Sequence, residues 1–154
     1  MAKVGVTRTG PRVEAIIEGS IDEQVDLESL IGPVSGSLRV SCGGIARFNS
    51  IGVKNWIQYF GELKKKAVVL EFVECSPAVV EMCNSYHNFL AGGRLFSLHI
   101  PFLCGKCQAN FVKTATVEQL KERKFALVAE PCPKCGASAE FDDLPEAFFG
   151  FLTG

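Results

Sequence analysis

Two pairs of cysteines in the C-terminal third constrain the fold of this chain more than any other feature. Cys104 and Cys107 lie in the segment CGKC, and Cys132 and Cys135 lie in the segment CPKCG. Two residues between cysteines allow a tight backbone turn to direct both sulfurs at one ion, and two such turns complete a tetrahedron. The pattern therefore predicts a four-thiolate metal site.

The ligand set favours one structural zinc ion, because four thiolates close the coordination shell and leave no position for a reacting water. Iron is the competing ion, since iron-binding knuckles also contain Cys-Pro-x-Cys-Gly. In this chain Gln108 follows Cys107 at a position where such knuckles have Gly. A redox dithiol is less favoured, because that motif belongs at a helix start in a βαβ unit and Cys104 follows a predicted strand.

The chain has seven cysteines. Whether they bind metal or form disulfides depends on the cellular compartment of the protein. The longest stretch without a formal charge, residues 82–93, is shorter than the ~20 residues of a membrane-spanning helix. The first residues, MAKV, do not begin a secretory signal. We therefore expect a cytoplasmic protein without a membrane span, in which metal is favoured over disulfides. Cys42, Cys75 and Cys83 lie on or beside apolar segments and are predicted to be buried and structural.

Residues 1–101 alternate between strand-like and helix-like patterns and predict an α/β domain. Strands are predicted at residues 12–19, 37–42, 67–73 and 95–103, and helices at residues 22–31, 51–65 and from 76 to the glycines at 92 and 93. His87 lies on the apolar stripe of the third helix and is predicted to pack in the core. Residues 102–154 are predicted to form a separate zinc-ribbon module, with a short helix at 116–123 and a Phe-rich tail.

The charge balance argues against one class of function. Residues 101–154 contain six basic and seven acidic residues, and four thiolates around a divalent ion add further negative charge. Such a surface does not attract a phosphate backbone. Nucleic-acid or transcription-complex binding through the ribbon is therefore the alternative function and a protein partner the leading one. No catalytic triad, phosphate loop or paired-carboxylate site stands out, so we expect a non-enzymatic protein.

The segment before the second predicted helix carries the candidate interaction residues Asn49, Ser50 and Gly52. Asn49 and Ser50 are both good N-caps, which is the plainer interpretation. A helix N-terminus also favours anions, so a phosphorylated Ser50 would find amide donors there. Gly52 allows close approach to the backbone.

Three short motifs resemble the STAS domain, the fold of bacterial anti-sigma factor antagonists. They are GSID at 19–22, FNSIGV at 48–53 and CSPAVV at 75–80, and the resemblance covers about residues 4–100. It implies a mixed sheet flanked by helices and a regulatory module that docks on a protein partner through residues 49–54.

In that family the loop reads Asp-Ser-Ser-Gly, and its second serine is phosphorylated by a serine kinase that is also the anti-sigma factor. The resemblance matches Asn49 to the Asp, Ser50 to the first serine, Ile51 to the phosphorylated serine and Gly52 to the Gly. Ile51 cannot accept a phosphate, so either Ser50 is a displaced acceptor or the partner binds without a switch.

Overall fold

The computed structural model describes residues 2–153, and they form two β-sheets with associated helices. The strands are β1 (Lys3–Thr9), β2 (Arg12–Ile21), β3 (Ser37–Phe48), β4 (Val69–Val73), β5 (Arg94–Leu95), β6 (Ser97–Cys104), β7 (Asn110–Thr116), β8 (Glu130–Pro131) and β9 (Ser138–Phe141). The helices are α1 (Leu27–Ile31), α2 (Ser50–Lys65), α3 (Pro77–Ser85), α4 (Val117–Glu122), α5 (Pro145–Phe148) and α6 (Gly150–Thr153). The predicted α/β class is confirmed.

The first sheet has the strand order β1-β2-β3-β4-β5 and is mixed. β1 pairs antiparallel with β2, and every other neighbouring pair is parallel. α1, α2 and α3 each connect one parallel strand to the next, as connections between parallel strands require. Alternate residues of β2, β3 and β4 are buried, so one face of this sheet contributes to the core.

Aromatic packing between α2 and the sheet centres on Trp56, which has no exposed surface. Its indole N–H donates to the Phe89 carbonyl oxygen at 3.0 Å, and its ring stacks on the Phe89 ring at a centroid distance of 5.3 Å. Val53, Phe60 and Leu63 are buried on the same side of α2, as their spacing predicts. Full burial of a large apolar side chain contributes about 1.5–3 kcal/mol, so this helix is held mainly by its inner face.

The second sheet has the strand order β7-β6-β9-β8 and is antiparallel throughout. Its long strand β6 runs through residue 101, the position of the predicted module boundary. β6 also pairs with Cys75, just beyond the end of β4, because the Cys75 N–H donates to the Ser97 carbonyl and the His99 N–H to the Cys75 carbonyl, at 3.1 and 2.8 Å. The two sheets are therefore joined through the backbone.

The strand predicted at residues 95–103 is wrong as a single element, because β5 and β6 belong to different sheets. The chain changes sheet at Phe96, whose N–H donates to Phe72 of β4 and whose carbonyl accepts from Val117, at 2.8 and 2.9 Å. Apolar composition alone does not reveal such a change of partner.

Two predicted helices are shorter than their patterns indicate. α1 begins only at Leu27, because the Asp26 side chain accepts from the Ser29 amide and caps the helix there. α3 ends at Ser85, well before the two glycines. His87 lies in the segment after α3 and is exposed, so its predicted place in the core is wrong.

The Phe-rich tail packs between α3 and the second sheet. Phe148 and Phe149 are buried and both contact the ring of Phe141, at centroid distances of 5.4 and 5.9 Å. The Asn84 amide of α3 donates to the Phe148 carbonyl at 3.0 Å and accepts from the Phe151 N–H at 2.8 Å.

Among residues 2–153 there is no helix with both the length and the apolar character needed to cross a membrane.

Candidate metal centre and candidate partner loop

The four predicted metal ligands lie at the tips of two neighbouring hairpins. Cys104 and Cys107 lie at the β6–β7 turn, and Cys132 and Cys135 lie at the β8–β9 turn. β6 and β9 pair at Cys104 and Ala139, which places the two turns side by side. All four sulfurs lie within 4.8 Å of one another.

The distances between sulfurs match a tetrahedral site. Cys104 Sγ lies 3.5 Å from Cys135 Sγ, and Cys107 Sγ lies 3.6 Å from Cys132 Sγ. Four sulfurs at about 2.3 Å from a central ion are about 3.8 Å apart. The cluster therefore fits one tetrahedral metal ion with only small adjustments.

The two turns have the same backbone hydrogen bonds. In the first turn the Cys104 N–H donates to the Ala109 carbonyl, and the Cys104 carbonyl accepts from the Gln108 N–H, both at 2.9 Å. The second turn repeats both bonds at the same offsets from Cys132, at 2.7 and 2.9 Å. The two cysteine pairs thus form equivalent local structures although their sequences differ.

Gln108 and Gly136 occupy the same position in the two turns, immediately after the second cysteine. Both have a left-handed backbone, with φ of 64° and 75°. That region costs about 1–2 kcal/mol for residues with a side chain and is favoured by glycine. The Gln108 side-chain amide donates to the Gly105 carbonyl at 3.0 Å, which supports the turn. The missing glycine therefore changes the energy of the first turn but not its shape.

Backbone amides favour the thiolate form of the buried cysteines. The amide of Cys135 and then that of Lys134 lower the pKa of Cys132 to about 6. The pKa of Cys104 is lowered in the same way, first by the Cys107 amide. The pKa of Cys135 is instead raised to about 12: the Ala137 amide opposes the shift, but hydrogen bonds with the other sulfurs outweigh it. Without a cation, the thiolate form is therefore favoured at some of the sulfurs and disfavoured at Cys135. A bound divalent cation would stabilise the thiolate form of all four.

The second cysteine of each pair lies at the exposed rim of the cluster, next to a lysine. Cys107 and Cys135 are exposed, whereas Cys104 and Cys132 are buried. Lys106 and Lys134 are exposed and precede the exposed cysteines in the two turns. The rim therefore combines cysteine sulfurs with ammonium groups.

The other three cysteines are buried, as predicted. Cys42 Sγ lies 3.4 Å from Cys75 Sγ, where β3 approaches the end of β4. The contact with Cys42 and then burial raise the pKa of Cys75 well above its ordinary value. Burial also raises the pKa of Cys83. Cys75 and Cys83 therefore remain thiols, which suits packing rather than nucleophilic chemistry.

The candidate partner loop is held by the side chain of Asn49. Its Oδ1 accepts from the Gly52 N–H at 2.7 Å and its Nδ2 donates to Glu23 Oε2 at 2.6 Å. The predicted helix cap is thus present at Asn49, while Ser50 and Ile51 are exposed. A Cβ on Gly52 would lie 2.0 Å from the Ile21 carbonyl oxygen, so this glycine serves close packing within the chain.

No protein-family model matches the chain, and no curated protein matches it. The geometry of the metal centre and the partner loop is therefore the basis for a functional proposal.

Sequence reasoning did not identify Glu23 as part of the loop. No local signal could have done so, because the contact joins residues on either side of α1 and β3.

Proposed function

We propose that the protein is a non-enzymatic bacterial regulatory module that resembles an anti-sigma factor antagonist and docks on a protein partner through residues 49–54. The observation that carries the proposal is the capped and exposed start of α2. Asn49 fixes its backbone, and the side chain of Ile51 is 51% exposed beside exposed Ser50 and Lys54. A rigid surface loses little conformational entropy on binding, so an exposed apolar residue there suits a protein contact.

The architecture of the first sheet supports the STAS-like part of the proposal. A mixed five-stranded sheet with helices between its parallel strands agrees with the fold that the motif resemblance implies. The loop matched to the family's phosphorylated segment joins β3 to the N-terminus of α2. Ser50 is the first residue of that helix, so a phosphate on it would lie at the positive end of the helix dipole.

Binding measurements on variants of the loop test the proposal. A partner, proposed to be a serine kinase of the anti-sigma type, is first captured with the wild-type chain and identified by mass spectrometry, and is then titrated against purified variants. Ile51→Ala is expected to weaken binding about tenfold, as a central contact residue does, and Ser50→Asp is expected to change the affinity by adding charge at the contact. Val128→Ala removes an exposed apolar side chain from the second half of the molecule, where Val128 is 71% exposed, and is the control.

Equal affinities for wild type, Ile51→Ala and Ser50→Asp would contradict docking through this loop. Phosphate on Ser50 in cells would support a displaced acceptor. Its absence together with a strong effect of Ile51→Ala would favour a contact without a switch.

We further propose that the second sheet is a zinc ribbon holding one structural zinc ion through Cys104, Cys107, Cys132 and Cys135. Four thiolates leave no open coordination position, so the ion would stabilise the hairpins rather than activate water. The equivalence of the two turns supports this assignment, because each one presents a buried and an exposed sulfur to the same point.

Nucleic-acid binding through the ribbon is the second candidate function. The pair of exposed lysines beside the sulfurs favours it, although the ribbon as a whole is not basic. A gel-shift assay at low salt with DNA and RNA tests it. A shift that disappears in Lys106→Gln/Lys134→Gln would support this function, and no shift for the wild-type chain would remove it.

A further inference from the structure

A cleft of about 800 Å³ lies between α1 and α2. It exists because the two helices differ greatly in length, with 5 residues in α1 and 16 in α2. At a rise of about 1.5 Å per residue, α1 spans about 7.5 Å and α2 about 24 Å. α1 therefore covers only part of the side of α2 that faces it, and the segments before and after α1 form the remaining walls.

The walls of the cleft combine apolar and polar groups in the way typical of ligand sites. On α2, Asn55, Tyr59 and Glu62 recur at three- and four-residue spacing and line one side. Leu27 of α1 and Val34 of the following segment contribute apolar surface opposite them. The volume lies within the range of about 300–1,000 Å³ that small-molecule sites occupy.

The charge of the lining is strongly one-sided. Four carboxylates and one ammonium line the cleft and give it a formal charge of −3: Glu23, Asp26, Glu28, Glu62 and Lys66. Glu62 has an ion pair with Lys65 at 3.4 Å, but both side chains are more than half exposed, so this pair is weak. A concave surface with charges of one sign concentrates ions of the opposite sign, so the cleft favours a cation.

One further positive charge, that of Arg8, acts on the cleft wall and reduces the negative potential without reversing its sign. Arg8 reaches from β1 to the end of α1, where its guanidinium donates to the carbonyls of Ile31 and Pro33. That contact holds the guanidinium against the backbone of the wall. Glu23 and Asp26 already accept hydrogen bonds from Asn49 and Ser29, so Glu28 and Glu62 are the carboxylates left for a bound molecule.

The hydroxyl of Tyr59, a residue of the cleft wall, is buried without a hydrogen-bond partner among residues 2–153. Burial, and then the charge of Glu28, raise the pKa of Tyr59 to about 12, so the hydroxyl keeps its proton at neutral pH. A buried polar group without a partner is costly, and a water or ligand atom that reached the hydroxyl would remove that cost.

We propose that this cleft binds a small amphipathic organic cation, with an apolar body against Leu27 and Val34 and an ammonium group beside Glu28 and Glu62. The carboxylate of Glu23 belongs both to the cleft and to the hydrogen bond that holds Asn49. An occupant therefore lies next to the candidate partner loop. The inference rests on the cleft alone and does not require the proposed docking function.

A titration with three ligands of the same ring system and different charge tests the site. Tryptamine, tryptophol and indoleacetate are cationic, neutral and anionic, and their binding to the full chain is followed by amide chemical shifts. Tryptamine is expected to move the signals of α1 and of the facing side of α2 in a saturable way. Tryptophol is expected to bind at least about tenfold more weakly, because it lacks the charge, and indoleacetate more weakly still.

Charge-removing variants locate the site. Glu28→Gln/Glu62→Gln is expected to lower the affinity for tryptamine about tenfold, while the matched control Glu118→Gln/Glu122→Gln on α4 leaves it unchanged. Both variants replace exposed carboxylates, and their amide spectra report whether the fold is retained. Equal binding of tryptophol and tryptamine, non-saturable shifts scattered over the surface, or no effect of the α1 and α2 variant would each overturn the proposal.

Discussion

In the five-stranded sheet, alternate side chains of three strands pack beneath helices, and Trp56, Phe60 and Phe72 have no exposed surface. In the four-stranded sheet, β8 has two residues and β9 has four, and the two hairpins meet at four sulfur atoms. Strands as short as these cannot bury enough apolar surface to fold alone. The proposed metal ion would therefore supply to the two cysteine hairpins what the aromatic core supplies to the first sheet, while Phe141, Phe148 and Phe149 pack elsewhere on the second sheet.

Removing one of the four cysteine ligands tests this difference between the two halves most directly. Cys132→Ser is expected to abolish metal binding and unfold β8 and β9, because a structural zinc ion contributes on the order of 10 kcal/mol to a site of this kind. The amide signals of α2 and of β2 to β4 are expected to remain, since their core does not include the metal. Nuclear magnetic resonance and metal analysis of the purified variant measure both effects.

Cys83→Ala is the matched control, because it removes a buried thiol that lies outside the cluster. It is expected to keep the full metal content and both sheets. If Cys132→Ser also kept an ordered second sheet, apolar packing alone would hold that half, and the contrast between the two halves would be lost.

Two glycines of α2 sharpen the account of the first half. Gly52→Ala is expected to destabilise the protein by about 2 kcal/mol or more, because a Cβ there would lie 2.0 Å from the Ile21 carbonyl and force the helix away from β2. Gly61→Ala is expected to stabilise it by about 0.5–1 kcal/mol, since alanine is the better helix former and no atom lies within 4 Å of the new Cβ. Denaturant unfolding of the two variants measures the opposite signs. Equal effects would show that the packing of α2 on β2 does not constrain the loop.

A smaller effect is expected from the left-handed residue of each cysteine turn, Gln108 in the first and Gly136 in the second. Gln108→Gly is expected to stabilise the second half by up to about 1 kcal/mol by relieving the left-handed backbone, and Gly136→Ala to destabilise it by a similar amount. The midpoint of zinc release to a chelator measures both. If Gly136→Ala had no effect, the equivalence of the two turns would not extend to their energetics.

Sequence reasoning predicted the features that local spacing determines. The apolar period of α2, the cap at Asn49 and the spacing of the four cysteines all reappear in the structure. A helix predicted at 116–123 is confirmed as α4, where Thr116 and Gln119 form a capping box.

Features that depend on distant partners were not predicted. β1 is an edge strand whose residues are mostly exposed, so it lacks the apolar run by which β2 was predicted. The division between β5 and β6 follows from backbone pairing of Phe96 with Phe72 and Val117. Near the end of α3, the Asn84 side chain bonds to Phe148 and Phe151 of the distant tail. His87 fits the helical period but lies beyond the last helical residue, which is why its predicted burial was wrong.

Metal analysis by plasma mass spectrometry, combined with counting of reactive thiols, tests the central claim of a four-thiolate zinc centre most directly. The account predicts about one zinc per chain, four cysteines protected from a thiol reagent until a chelator is added, and no zinc in Cys132→Ser. Absorption in the visible range would instead identify iron. A chain without metal whose four C-terminal cysteines react freely while the second sheet stays ordered would contradict the claim.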